Sequence, residues 1–172
     1  PRRFGKTLNM STIECFFSNR YRQRGDLFEG RKVWEEEKLR NLQGTYPVIF
    51  LSFAGVKPLY AGRNDDQERL ANAQAVKNTV KQLLQDVYTG YQYIMKSEIF
   101  TKEDRMSFVS VNDNMSDQTA QVALRRLCGY LERYYGKKVI VLLDEYDTPL
   151  QEAWVGHFWE EVLAFFRGFF LN

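Results

Sequence analysis

Two short clusters, one near each end of the 172-residue chain, carry side chains of the types that handle phosphate. The first is Gly5-Lys6-Thr7, followed at once by a helical apolar pattern. It matches the second half of the pattern G-x-x-x-x-G-K-[ST], in which glycine lets the backbone approach a phosphate, lysine reaches the β- and γ-phosphates, and the hydroxyl ligates Mg²⁺. Counting back from Gly5, the first glycine of that pattern falls one residue before Pro1. The second cluster is Asp144-Glu145, at the end of the apolar run Val139-Ile140-Val141-Leu142-Leu143. An aspartate there supports the metal and the next glutamate polarises a water that attacks the γ-phosphate, a reaction governed by charge neutralisation and an oriented nucleophile. Either cluster alone also fits an ordinary helix start or a strand-to-helix loop. Their combination argues for a nucleotide site.

The elements that must position these clusters are legible from periodicity. Thr7 to about Asn19 places Met10, Ile13, Phe16 and Phe17 on one helical stripe. Residues Lys32 to Leu42 read as a short surface helix or irregular chain, closed by Gly44. Tyr46 to Phe53 is a short apolar run with β-branched and aromatic residues between glycines, a buried strand. From Asp65 to about Tyr91, Ala73, Val76, Val80, Leu83, Leu84 and Val87 recur at intervals that predict a long amphipathic helix. Residues Phe100 to Asn114 carry no clear period. Ser116-Asp117 then offers a helix start, Val122, Leu124, Leu127 and Leu131 a stripe, and Gly136 a stop. That helix feeds the strand Val139–Leu143, whose unbroken apolar run is of the kind covered on both faces of a parallel sheet. One last aromatic helix is expected from about Trp154 to Phe170. Helices alternating with buried strands predict an α/β fold with a parallel sheet.

Three blocks of this chain resemble the signature blocks of the bacterial AAA-ATPase-like family: Pro1-Arg2-Arg3-Phe4-Gly5-Lys6-Thr7-Leu8, Tyr46 to Phe53, and Gly136 to Leu150 with its Asp144-Glu145-Tyr146-Asp147. Their order and separation match over nearly the whole chain, although residues 55–130 add little. The resemblance implies a three-layer P-loop NTPase of the additional-strand type that binds and hydrolyses ATP with Mg²⁺. It puts Arg3, Phe4, Gly5, Lys6, Thr7 and Leu8 around the phosphates, Thr7 and Asp144 on the metal, and Glu145 on the attacking water. Family members usually have arginine where the first P-loop glycine belongs, and they often carry a C-terminal PD-(D/E)XK nuclease-like domain. Within that architecture residues 1–172 correspond to the middle of the domain. The strand before the P-loop and the last core strands are expected outside them, and this piece by itself is expected to bind nucleotide poorly. A rival reading is a nucleotide-binding conformational switch or scaffold without significant turnover. Glu145 favours the enzyme, and the missing first glycine favours the switch.

Composition bounds the rest. A formal charge of +2, with 44% hydrophobic and 27% charged residues, is that of an ordinary globular domain. So small an excess gives no independent support to a nucleic-acid partner or an anionic membrane. The arginines at 20, 22 and 24 around Tyr21 read as a solvated helix end sooner than a single-strand binding patch. Two cysteines without CxxC spacing and a single histidine exclude a disulfide scaffold, a thiolate zinc site and a histidine triad within these residues. The absence of any apolar run of membrane-spanning length sets a cytoplasmic default.

Overall fold

The computed structural model of the chain describes residues 5–59 and 65–170. They form a mixed α/β structure, mostly helical, with a two-stranded parallel sheet. Two compact units divide it: Pro1–Leu51 with Leu131–Asp144, and Ser52–Tyr130 with Glu145–Asn172.

In the first unit, helix α1 (Lys6–Phe17) opens from Gly5 and closes at Ser18, whose extended backbone turns the chain out of the helix. The return is held by backbone bonds: Gly44 N–H donates to Phe16 O at 2.8 Å, Tyr46 N–H to Phe17 O at 2.9 Å, and Asn19 N–H to Tyr46 O at 2.8 Å. Gly44 has φ 65°, and a Cβ there would stand 2.4 Å from Arg22 Cα, so only glycine fits this turn. Phe16 is the buried anchor of α1 and packs edge-to-face on Phe17 and Phe28 with centroids 4.9 and 5.0 Å apart. Ile13, expected on the same stripe, is 40% exposed. Residues 32–42 form two single-turn helices, α2 (Lys32–Glu35) and α3 (Glu37–Arg40). Strand β1 (Val48–Ser52) follows with Val48, Ile49 and Leu51 buried, as its sequence predicts.

Strand β2 (Ile140–Asp144) pairs with β1, and Ile140 N–H reaches Pro47 O at 3.0 Å. Its apolar run predicts full burial, but residues 140–143 are only half-buried and Asp144 alone is fully buried. Among the described residues β2 has a strand on one edge only, with α1 packed against it, so part of its apolar surface stays open.

The second unit is helical. α4 (Asp66–Tyr91) starts at Asp65, whose carboxylate accepts from Glu68 N–H at 2.8 Å, and buries Val76, Val80 and Leu84. The stretch without a clear period contains α5 (Lys102–Val109), set by a reciprocal capping box between Thr101 and Asp104. α6 (Asp117–Tyr135) begins at Ser116, whose Oγ accepts from Thr119 N–H at 3.1 Å, and stops at Gly136 with φ 64°. Its C-terminal turn belongs to the first unit. α4 and α6 are joined in the second unit by Tyr88, whose hydroxyl donates to Ala123 O at 2.8 Å in a buried bond, and by Lys77 and Lys81 on Asp117 at 3.1 and 2.8 Å.

The expected single helix over 154–170 is instead two, α7 (Thr148–Val155) and α8 (Trp159–Phe170). Pro149 at the start of α7 fixes its first turn earlier than the periodicity suggested. Gly156 ends it: a Cβ there would lie 2.5 Å from the Phe158 ring, which folds back to full burial while His157 takes φ 56°. α8 then buries Val162, Phe165, Phe166 and Phe169. Among the described residues no helix is long and apolar enough to cross a membrane.

Candidate functional site

Gly5 is in the left-handed conformation, φ 71° and ψ 21°, and forms the N-cap of α1 without a side-chain hydrogen bond. Among the described residues, a Cβ there would meet nothing within 4 Å. The first turn contains no acidic residue, and the first intrahelical bond in that turn is Asn9 N–H to Gly5 O at 2.9 Å. The end of this 12-residue helix, where backbone N–H groups lack helical acceptors and the dipole is positive, therefore carries no acidic residue of its own. Lys6, Thr7 and Leu8 all face solvent there, Leu8 with 71% of its surface exposed.

Asp144 closes β2 and is 5% exposed. Thr7 Oγ1 donates to Asp144 Oδ2 at 3.0 Å, joining two residues 137 positions apart. The strand delivers the carboxylate and the first turn of the helix delivers the hydroxyl, so the two sequence clusters meet through the side chains singled out for a metal. Glu145 follows in a left-handed conformation, φ 49°, uncommon for a non-glycine residue. Its carbonyl accepts from Thr148 N–H at 3.0 Å and its Oε2 from Thr148 Oγ1 at 3.4 Å. Thr148 thus ties down both ends of the glutamate, and it opens α7. Asp147 is the N-cap residue of α7, and its carboxylate accepts from Gln151 Nε2 at 2.6 Å.

A hydroxyl and a carboxylate oxygen 3.0 Å apart are a hard oxygen pair suited to Mg²⁺, which keeps waters and takes only one or two protein ligands when it rides on phosphates. Among the described residues no group of three or more His, Cys, Asp or Glu gathers as a self-sufficient metal cage. Arg3 and Phe4, expected beside the phosphates, lie outside the described residues. Of the basic cluster, Arg24 is engaged by Asp26 in an exposed ion pair at 3.0 Å, in keeping with a solvated helix end.

The family model for AAA-ATPase_like, described as a predicted AAA-ATPase, matches residues 1–172. The chain belongs to this AAA-ATPase-like family. No curated protein and no solved structure matches it. Membership carries an ATPase-like function and nucleotide binding at the coarse level. In this AAA-ATPase-like chain, sequence reasoning missed the restraint of Glu145 by Thr148. The signal was present in Asp147-Thr148-Pro149, a hydroxyl residue directly before a proline that opens a helix.

Proposed function

We propose that the protein binds ATP at the N-terminus of α1 and hydrolyses it with Mg²⁺. The observation that supports this reading is the hydrogen bond from Thr7 to Asp144, which brings the two clusters onto one spot. The N–H groups of the first turn of α1 would receive phosphate oxygens, with Gly5 leaving room for close approach. Lys6 would place its ammonium on the β- and γ-phosphates. Thr7 and Asp144 would hold Mg²⁺, which when bound supplies charge neutralisation at the phosphate oxygens. Glu145 would orient a water and accept its proton as the new P–O bond forms and the bond to ADP breaks. The restraint by Thr148 fits that role, because a general base must be held in place to act.

The test of the binding half is Lys6→Ala in the full-length protein, measured by calorimetry with ATP and Mg²⁺. Loss of at least tenfold in affinity is expected, and unchanged affinity discards the phosphate-loop assignment. Hydrolysis is tested separately through Glu145.

A further inference from the structure

A second recessed site stands at the α7–α8 corner, built only from the second unit. It is a cleft of about 420 Å³ lined by Arg69, Trp154, His157, Trp159, Glu160 and Glu161. Trp154 is 70% exposed although it is the largest side chain type, and Val155 beside it is 74% exposed. The Trp154 and Trp159 rings are in edge-to-face contact, at 87° with centroids 6.1 Å apart, and form the two walls of one corner. The left-handed His157 and the buried Phe158 between them fix this corner.

The charge of the cleft follows from its pairings. Arg69 is paired with Asp66 through Nη2, while its buried Nε lies 3.9 Å from Glu161 and has no hydrogen-bond acceptor among the described residues. Glu160 is exposed and engages no hydrogen bond or ion pair among the described residues. Asp66 and Glu161 offset the Arg69 charge, so the cleft offers a ligand indole surface and the further carboxylate of Glu160, with His157 at its wall. Indole faces carry negative quadrupole potential and are the best aromatic partners of organic cations.

We infer that this cleft binds an organic cation of side-chain size, an alkylammonium or guanidinium head. The cation rests in the open corner beside the edge-to-face contact of Trp154 and Trp159, and Glu160 balances its charge. This site is separate from the phosphate chemistry at Lys6 and does not depend on it.

The test is titration of the ¹⁵N-labelled protein with choline, with N-acetyl-arginine amide and with 3,3-dimethylbutan-1-ol, the uncharged isostere of choline. Observation is of the three tryptophan indole N–H signals. Saturable shifts of Trp154 and Trp159 with a cation, while Trp34 stays still, are expected. Trp154→Ala and Glu160→Gln alter exposed side chains and are expected to weaken binding about two- to fivefold, the range of cation–π and ion-pair contributions at exposed sites. Choline alone responding points to an alkylammonium ligand, and the arginine amide alone to a guanidinium. Equal response to the alcohol, no saturable response to either cation, or unchanged affinity in both variants overturns the proposal.

Discussion

Replacing Thr7 by Val keeps the shape of the side chain and removes the hydroxyl that donates to Asp144. A hydrogen bond to a carboxylate contributes about 1.5–3 kcal/mol when its partner is buried. Asp144 is 5% exposed, so water cannot fully replace the lost donor, whereas Thr7 itself faces solvent. The lower part of that range applies, and Thr7→Val is expected to cost about 1.5–2 kcal/mol. In an Asp144→Ala background the same substitution has no acceptor to orphan and is expected to change stability by less than about 0.5 kcal/mol. The assay is urea unfolding of the four proteins of the cycle. It is read from Trp34, which stacks on Phe28 in the same unit, after Trp154 and Trp159 are replaced by Phe. A shift in midpoint at constant slope gives the free energy. A coupling below about 0.5 kcal/mol would refute the claim that Thr7 and Asp144 form one energetic unit.

Glu145→Gly relieves a left-handed glutamate and is expected to raise stability by about 1 kcal/mol, or about 2–4 °C in melting temperature, while hydrolysis is lost. A lowered melting temperature would show that the backbone there is not strained. Burial raises the Asp117 carboxyl, but the hydrogen bonds and charges of Lys81 and Lys77 outweigh it and hold the group below the usual carboxylate range. A depressed folded value stabilises above the unfolded pKa of about 3.9 and is lost as pH falls through the folded value. Asp117→Asn should therefore lower the urea midpoint at pH 7, with the gap to wild type closing below about pH 4. A gap that widens in acid contradicts the assignment. Gly44→Ala places a methyl against Arg22 Cα and is expected to cost more than about 2 kcal/mol in thermal unfolding. A neutral result would mean that the turn relaxes.

What could be read from the chain was what local rules decide. α1, β1, α4 and α6 follow from apolar period, caps and stop glycines, and Ser116 and Gly136 act where their types predict. The pairing of Thr7 with Asp144 was foreseeable because the family resemblance assigns both side chains to one metal. Three features resisted because their causes are tertiary. α5 has few buried residues, and its start depends on the reciprocal bonds of Thr101 and Asp104 more than on a stripe. The break between α7 and α8 depends on Phe158 turning inward beside Gly156, a contact invisible to periodicity. The half-burial of β2 depends on which neighbours its apolar run meets, not on the run itself.

Catalysis by Glu145 is the claim most directly open to measurement: phosphate release from ATP with Mg²⁺ by the full-length protein and its Glu145→Gln variant, with ATP affinity determined for both. Equal affinity and a rate lowered by about 10²–10⁴ are predicted for a lost general base. Equal rates in the two proteins, or no turnover by the wild type despite tight and conformationally active ATP binding, would contradict hydrolysis at this site.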